Sequence, residues 1–185
     1  NPTLGGNDVW KYTFLIVGAA TMFIAAYLAV QRTDLKQLLA YSTVSVLGML
    51  TMLIGLGSHV ALEAALVYLV VHALYKGAFF LVAGTIDHET GTREIGQLGG
   101  LGRIMPFTAI GAAIAAVSMA GIPPLFGFIG KELVYEASLD LENYAFILVA
   151  VAVATNVLMV AIAGITGIHP FTGKQKETPH HPHEA

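Results

Sequence analysis

The chain contains no cysteine. That absence excludes disulfides, cysteine-ligated iron-sulfur clusters, thiolate zinc sites and covalent c-type haem attachment within it. Charge is nearly as scarce. Asp, Glu, Lys and Arg make up 11% of 185 residues, whereas 56% are hydrophobic. So few charges cannot coat a soluble domain of this size, and the composition predicts an all-α integral membrane protein. The net charge of −3 is too small to indicate a charged partner, and no nucleic acid is expected. Residues Asn1 to Asp8 are polar and glycine-rich. They offer no basic n-region ahead of an apolar core, so no signal peptide is expected. The chain does not start with methionine and it stops in a polar tail, which suggests a fragment of a longer protein, truncated on both sides. A nucleotide-binding fingerprint is also missing. Gly127-Phe-Ile-Gly-Lys131 is followed by Glu132 and its glycine spacing fails the P-loop pattern. No cofactor and no redox site are expected in this segment.

What the chain has in quantity is long apolar sequence. A bilayer core requires about 20 apolar residues per helix, and five stretches reach that length: about 12–31, 37–57, 61–86, 104–137 and 142–168. The fourth is longer than a straight span requires and is interrupted by Gly121-Ile-Pro-Pro124. Two prolines remove two backbone donors and push their neighbours out of helical geometry, so a broken helix is expected there. Residues 1–11 are read as an outer loop and 169–185 as a polar tail.

An odd number of spans puts the two ends on opposite sides. Alternate loops place Arg32, Lys36, Arg93, Arg103, Lys174 and Lys176 on one side, with Lys11 and Lys131 on the other. The positive-inside rule makes the first side cytoplasmic, in a prokaryotic-type inner (plasma) membrane. The acidic residues Glu132, Glu136, Asp140 and Glu142 then fall at the outer end of the fourth span. The tail, with His180, His181 and His183, reads as a flexible cytoplasmic segment; metal binding is its alternative, since short His-rich tracts bind metal only with ordered partners. No metal site is expected elsewhere.

Candidate chemistry sits in the third span, in Tyr68-Leu-Val-Val-His72-Ala-Leu-Tyr-Lys76. An ionisable side chain near the bilayer centre costs on the order of 3 kcal/mol on insertion scales, so such residues mark ion or proton pathways. A spacing of four puts His72 and Lys76 on one helix face, with Tyr68 a turn earlier. Burial brings a lysine into a range where it accepts and releases protons, and histidine is already there. A relay through the two groups and bridging water is one reading. The other is a snorkelling lysine and a single interhelical hydrogen bond from histidine. Ten residues separate Lys76 from Ile86, the nearer end of the apolar run, or about 15 Å at the helical rise, too far for easy snorkelling.

Lys131 is the second candidate, one to two turns beyond the proline break. Unwound backbone at membrane depth lines wet cavities and forms transporter sites; the bland alternative is that the span ends at Gly130 and Lys131 marks the interface. Asp34 and Lys36 head the second span, either as topology anchors or as a relay mouth. The hydroxyls of Tyr41-Ser-Thr-Val-Ser45 serve helix-helix hydrogen bonds or water-wire contacts. Glu63 lies at the outer boundary of the third span, solvated or near a proton exit.

Three runs carry a family resemblance: Thr33-Asp-Leu-Lys-Gln-Leu-Leu-Ala-Tyr-Ser-Thr-Val-Ser45, His72-Ala-Leu-Tyr-Lys-Gly-Ala-Phe-Phe-Leu81 and Gly121-Ile-Pro-Pro-Leu-Phe-Gly-Phe-Ile-Gly-Lys-Glu132. They resemble the antiporter-like proton-translocating subunits shared by respiratory complex I and the multisubunit Mrp sodium/proton antiporters. Asp87-His-Glu-Thr-Gly-Thr-Arg-Glu94 and the closing Pro182-His-Glu-Ala185 are more similar to the A subunit of Mrp antiporters than to the large complex I subunit. The resemblance spans nearly the whole chain. It implies two inverted five-helix repeats, each with one broken helix, of which this chain is the second. It also implies other membrane subunits as partners, Lys76 as the central relay lysine, His72 as its partner, Lys131 as the lysine of the broken helix, and Asp34 and Lys36 as a charged pair at a helix head. Some complex I relatives have a second histidine where this chain has Tyr68. A tyrosine passes a hydrogen bond but accepts protons poorly at neutral pH, so the relay would lean on His72 and water.

Sodium prefers oxygen ligands, and no carboxylate lies deep in the first three spans. The expectation is a proton-conducting half of a cation/proton antiporter, with the cation crossing elsewhere. A proton-pumping subunit of an NADH:quinone oxidoreductase-like complex is the alternative. A haem-bearing anchor is a poor third, because a bis-histidine haem would require a second deep histidine.

Overall fold

The computed structural model describes residues 8–139 and 145–184. Six α-helices account for most of them: α1 (Asp8–Val30), α2 (Leu35–Leu56), α3 (His59–Thr90), α4 (Pro106–Ala120), α5 (Phe126–Leu139) and α6 (Ala145–Gly167). Short 3₁₀ turns follow α3 and α6. Among the described residues, α1, α2, α3 and the stretch Ala145–Phe171 are long and apolar enough to cross a membrane, and α4 is a shorter apolar helix.

The apolar runs therefore become helices, but their ends are set by capping and not by hydropathy. The Asp34 side chain accepts from the Gln37 amide at 2.9 Å and starts α2 two residues before the expected span. Ser58 accepts from Ala61 N at 3.2 Å and starts α3, which runs past the apolar stretch to Thr90 and stops at Gly91 in the left-handed conformation. Asp87, His88 and Glu89 thus ride on a helix end instead of in a loop. α1 likewise begins at Asp8, so Lys11 belongs to a helix and not to an outer loop. Asp140 and Glu142 lie outside the described residues, as does most of the expected 1–11 loop.

The fourth apolar run breaks as expected. Gly121 closes α4 at φ +76°, where its amide bonds Ser118 O at 3.0 Å, and Ile122 N bonds Val117 O at 3.1 Å. Pro123 and Pro124 follow, joined by a cis peptide, and α5 starts at Phe126. The two half-helices pack against α3 and α6, while Ile122, Pro123 and Pro124 at the break itself are exposed.

α1 and α2 form the tightest pair. A Cβ on Gly18 would lie 2.5 Å from Met52 N, and one on Gly48 2.5 Å from Met22 N, so the crossing requires glycine on both helices. Within a bilayer, where apolar burial drives association weakly, such close backbone approach supplies the packing. Ser45 Oγ adds a bond to Met22 O at 2.6 Å across the same crossing. Outward-facing positions are apolar, among them Leu81, Phe107 and Phe146, as a lipid or subunit-facing surface requires.

One end of the bundle gathers the α1–α2 turn, the α3–α4 connection and the tail. Leu35 N bonds Arg93 O at 3.0 Å, Ile95 N bonds Thr33 O at 2.8 Å, and the Arg93 guanidinium meets Asp34 at 3.0 Å. Lys36 Nζ pairs with Asp87 at 2.7 Å. The tail does not lie free, contrary to the expectation of a flexible segment. Gly100 N bonds Thr172 O at 2.8 Å, Lys176 Nζ bonds Gly96 O at 2.8 Å, and His180 N bonds Thr90 O at 3.0 Å. His183 pairs with the buried Glu89 at 2.5 Å. Glu184 receives bonds from Phe107 N, Thr108 N and Thr108 Oγ1 at 3.2, 3.1 and 2.8 Å. The N-cap residue of α4, Met105, has no side-chain cap, and the Glu184 carboxylate fills that role from across the surface. Among the described residues no group of His, Asp and Glu is arranged to hold a metal ion.

A buried lysine pair in the helix bundle

Lys76, His72 and Lys131 are all buried, at 5, 6 and 9% exposure. Both lysines are buried within the bundle. Helical spacing explains the burial on α3: Tyr68, His72, Tyr75, Lys76 and Phe79 fall on one buried stripe.

The expected single strip of Tyr68, His72 and Lys76 divides in two. The Lys76 ammonium turns toward α2, where Nζ donates to Leu39 O at 3.0 Å and to Ser42 Oγ at a short distance. Ser42 Oγ itself donates to Leu39 O at 2.9 Å, and Thr43 Oγ1 donates there at 3.1 Å. Three donors therefore meet one carbonyl, with the ammonium among them. His72 turns the other way. Its Nδ1 lies 2.9 Å from the Tyr75 hydroxyl, with the rings edge to face at 5.2 Å; which of the two donates depends on the imidazole tautomer. The Tyr75 hydroxyl also bonds that of Tyr68. His72, Tyr75 and Tyr68 form a continuous hydrogen-bonded run along α3.

Tyr68 leads to the second lysine. A small cavity of about 30 Å³ is lined by Ser45, Tyr68, Lys131, Tyr135, Thr155 and Asn156, among apolar residues. Lys131, in the second turn of α5, extends back along the break. Nζ donates to Ala120 O at 2.8 Å, a carbonyl from the last turn of α4 that has no intrahelical partner available. It also donates, at a short distance, to Asn156 Oδ1 on α6. A Cβ on Gly121 would lie 2.5 Å from Lys131 Cδ, so the glycine that ends α4 also leaves room for the lysine stem.

Both ammonium groups are therefore held by neutral oxygens. A charge-assisted hydrogen bond to a neutral acceptor is strong enough to satisfy a desolvated ammonium without the full attraction of a carboxylate. Such a lysine can release and regain its proton, and a hydroxyl that accepts on one side and donates on the other can pass it on. Three members of this network escaped the reading of the sequence: Ser42 as a partner of Lys76, Tyr75, and Asn156. Asn156 had a visible signal, being an amide near the middle of an otherwise apolar span. Tyr75 adjoins Lys76 in sequence, and its spacing of three from His72 was the available cue.

Asp34 and Lys36 sit in the ion pairs that tie the surface connections together, one turn or more along α2 from the Lys76 partners. Glu63 is exposed near the start of α3, about 20 Å from Lys76 at the helical rise.

Comparison with known proteins gives consistent matches. A family model described as NADH:quinone oxidoreductase/Mrp antiporter, transmembrane, matches residues 3–172. The chain is 45% identical over 139 residues to a probable K(+)/H(+) antiporter A/B subunit of Rhizobium meliloti, covering 75% of this chain and 14% of that protein. It is 38% identical over 197 residues to the Na(+)/H(+) antiporter A subunit of Alkalihalophilus pseudofirmus, covering 95% of this chain and 24% of that protein. Among solved structures, the Mrp complex from Dietzia sp. superposes with a TM-score of 0.81 at 41% identity, covering 88% of this chain and 18% of that one. Respiratory complex I from Thermus thermophilus also gives 0.81, at 27% identity, covering 95% of this chain and 36% of that one. The chain thus spans less than a quarter of the length of the two antiporter relatives.

Proposed function

The chain belongs to the NADH:quinone oxidoreductase/Mrp antiporter transmembrane family, and from that premise we propose that it is the second five-helix repeat of a proton-translocating subunit in a multisubunit monovalent cation/proton antiporter. The proton path runs through Lys76, His72, the Tyr75 and Tyr68 hydroxyls, the adjoining cavity and Lys131. The protein is a transporter component with no redox site of its own. Its partners are other membrane subunits, and its membrane is the bacterial plasma membrane. The end that carries Arg32, Lys36, Arg93, Arg103, Lys174 and Lys176 faces the cytoplasm.

The observation that carries this reading is the pair of buried ammonium groups, each held among the described residues by neutral oxygens, with the hydroxyl run from His72 through Tyr75 to Tyr68 leading to the cavity at Lys131. The same arrangement is poor in hard anionic ligands for sodium, so the cation crosses in another part of the assembly. The greater identity to antiporter proteins, 45 and 38% against 27% for the complex I chain, favours antiport over redox-driven pumping. The equal TM-scores of the two structural neighbours keep a complex I-like pump as the second reading.

Inverted membrane vesicles containing the whole assembly separate the two. With a pH gradient already formed and electron input blocked, an antiporter collapses the gradient on addition of sodium or potassium. A gradient that responds only while electrons are supplied contradicts antiport and supports the pump.

A further inference from the structure

We infer that Asn156 is the positioning residue for Lys131, a neutral clamp on α6 that holds the ammonium at the break between α4 and α5 and sets how readily it gives up its proton. This rests on the proton-path reading above and extends it to a residue that neither the proline break nor the buried lysines indicate.

Position argues first. Asn156 is the twelfth residue of the 23-residue α6, in Ala-Val-Ala-Val-Ala-Thr-Asn-Val-Leu-Met-Val. An amide at the middle of an apolar span is costly unless its polar atoms find partners. Here it finds two: Oδ1 accepts from Lys131 Nζ, and the side chain also bonds the Tyr135 hydroxyl. Neither bond is made to α6 itself. The amide is thus spent on joining α6 to α5 at the lysine.

Chemistry argues second. The other acceptor of the ammonium is Ala120 O, a backbone atom that no substitution removes. Asn156 is therefore the side chain by which the site's affinity for a charged lysine is set. The other groups facing this site are few. Tyr68 approaches from α3 and Tyr135 from α5 itself; α2 supplies Ser45, α6 supplies Thr155 beside Asn156, and the neighbouring Glu132 is exposed. Among the described residues no carboxylate lines the cavity. An aspartate at 156 would form a buried ion pair and hold the proton; an apolar residue would leave the ammonium with a backbone carbonyl alone.

The test uses Asn156→Leu, Asn156→Asp, Asn156→Gln and Lys131→Ala in the whole assembly, in inverted vesicles, with the abundance of each variant measured alongside. The readout is cation-dependent collapse of a pH gradient as a function of pH. Loss of one hydrogen bond to a charged group lowers exchange by about tenfold in Asn156→Leu. The pH of half-maximal exchange then moves down in Asn156→Leu and up in Asn156→Asp, because the first favours the neutral amine and the second the ammonium. Asn156→Gln, which retains an amide, restores most of the exchange lost in Asn156→Leu. Equal losses in Asn156→Leu and Asn156→Asp without displacement of the pH profile, or wild-type profiles in all three, overturn the assignment. Wild-type exchange in Lys131→Ala overturns the proton-path reading itself, which separates the two failures.

Discussion

Lys76 and Lys131 meet the same difficulty, an ammonium inside an apolar bundle, on two different kinds of backbone. Lys76 is part of an unbroken 32-residue helix and has no free carbonyl on its own stretch of chain. It reaches across to α2, where Ser42 and the Leu39 carbonyl receive it. Lys131 follows a break, and the break supplies its acceptor: the end of α4 exposes carbonyls that an intact helix would have consumed, and Ala120 O is one of them. The first site is built from side-chain hydroxyl chemistry on an intact helix, the second from interrupted backbone completed by one amide. The first therefore depends on interhelical register and the second on the geometry of a turn.

That contrast yields experiments of graded size. Lys131→Ala has the largest expected effect after the corresponding change at Lys76: cation-dependent proton exchange in vesicles falls to background while the protein still assembles. Retained exchange would make the broken-helix site dispensable and leave α3 alone as the path. Gly121→Ala follows. It places a side chain at φ +76° and within 2.5 Å of the lysine stem, a backbone cost of about 1–2 kcal/mol before the clash. Exchange should fall by more than about tenfold, while a glycine replaced far from the break, such as Gly84, which has open space around it, should be tolerated.

Ser42→Ala is milder, because Leu39 O remains for Lys76. Loss of one charge-assisted hydrogen bond, at the low end of the usual range of about 1.5–3 kcal/mol because the second acceptor remains, should slow exchange by about tenfold, measured as the rate of gradient collapse, and should leave Lys131 variants additive with it only if the two sites act independently. The smallest effect belongs to the surface. Glu184→Ala removes the borrowed cap of α4 and should cost about 1 kcal/mol, read as a lower thermal midpoint of the purified assembly, with exchange changed by less than about twofold.

The two lysine sites also differ in how far their residues announced them. Helix positions followed from the apolar runs, and the break followed from Gly121-Ile-Pro-Pro124, because bilayer length and missing proline donors act locally along the chain. The lysines and His72 were legible for the same reason: a charge within an apolar run is anomalous whatever packs against it. Their partners were not. Whether Lys76 meets Ser42 depends on the rotation and height of α2 against α3, and whether Lys131 meets Asn156 depends on how α6 packs on α5. Neither is encoded by periodicity within one helix. The packing of the tail is hidden from the sequence for a related reason. Its polar composition suggests a free segment, yet Glu184 and His183 find a helix end and a buried carboxylate that exist only once α3 and α4 are folded together.

The central claim is that a buried, neutral-oxygen-held lysine in α3 carries the proton. Its most direct test is Lys76→Ala in the whole assembly, assayed in inverted vesicles by sodium- or potassium-dependent collapse of a preformed pH gradient, with protein abundance matched to wild type. The account predicts no cation-dependent collapse above background; exchange at the wild-type rate would contradict it.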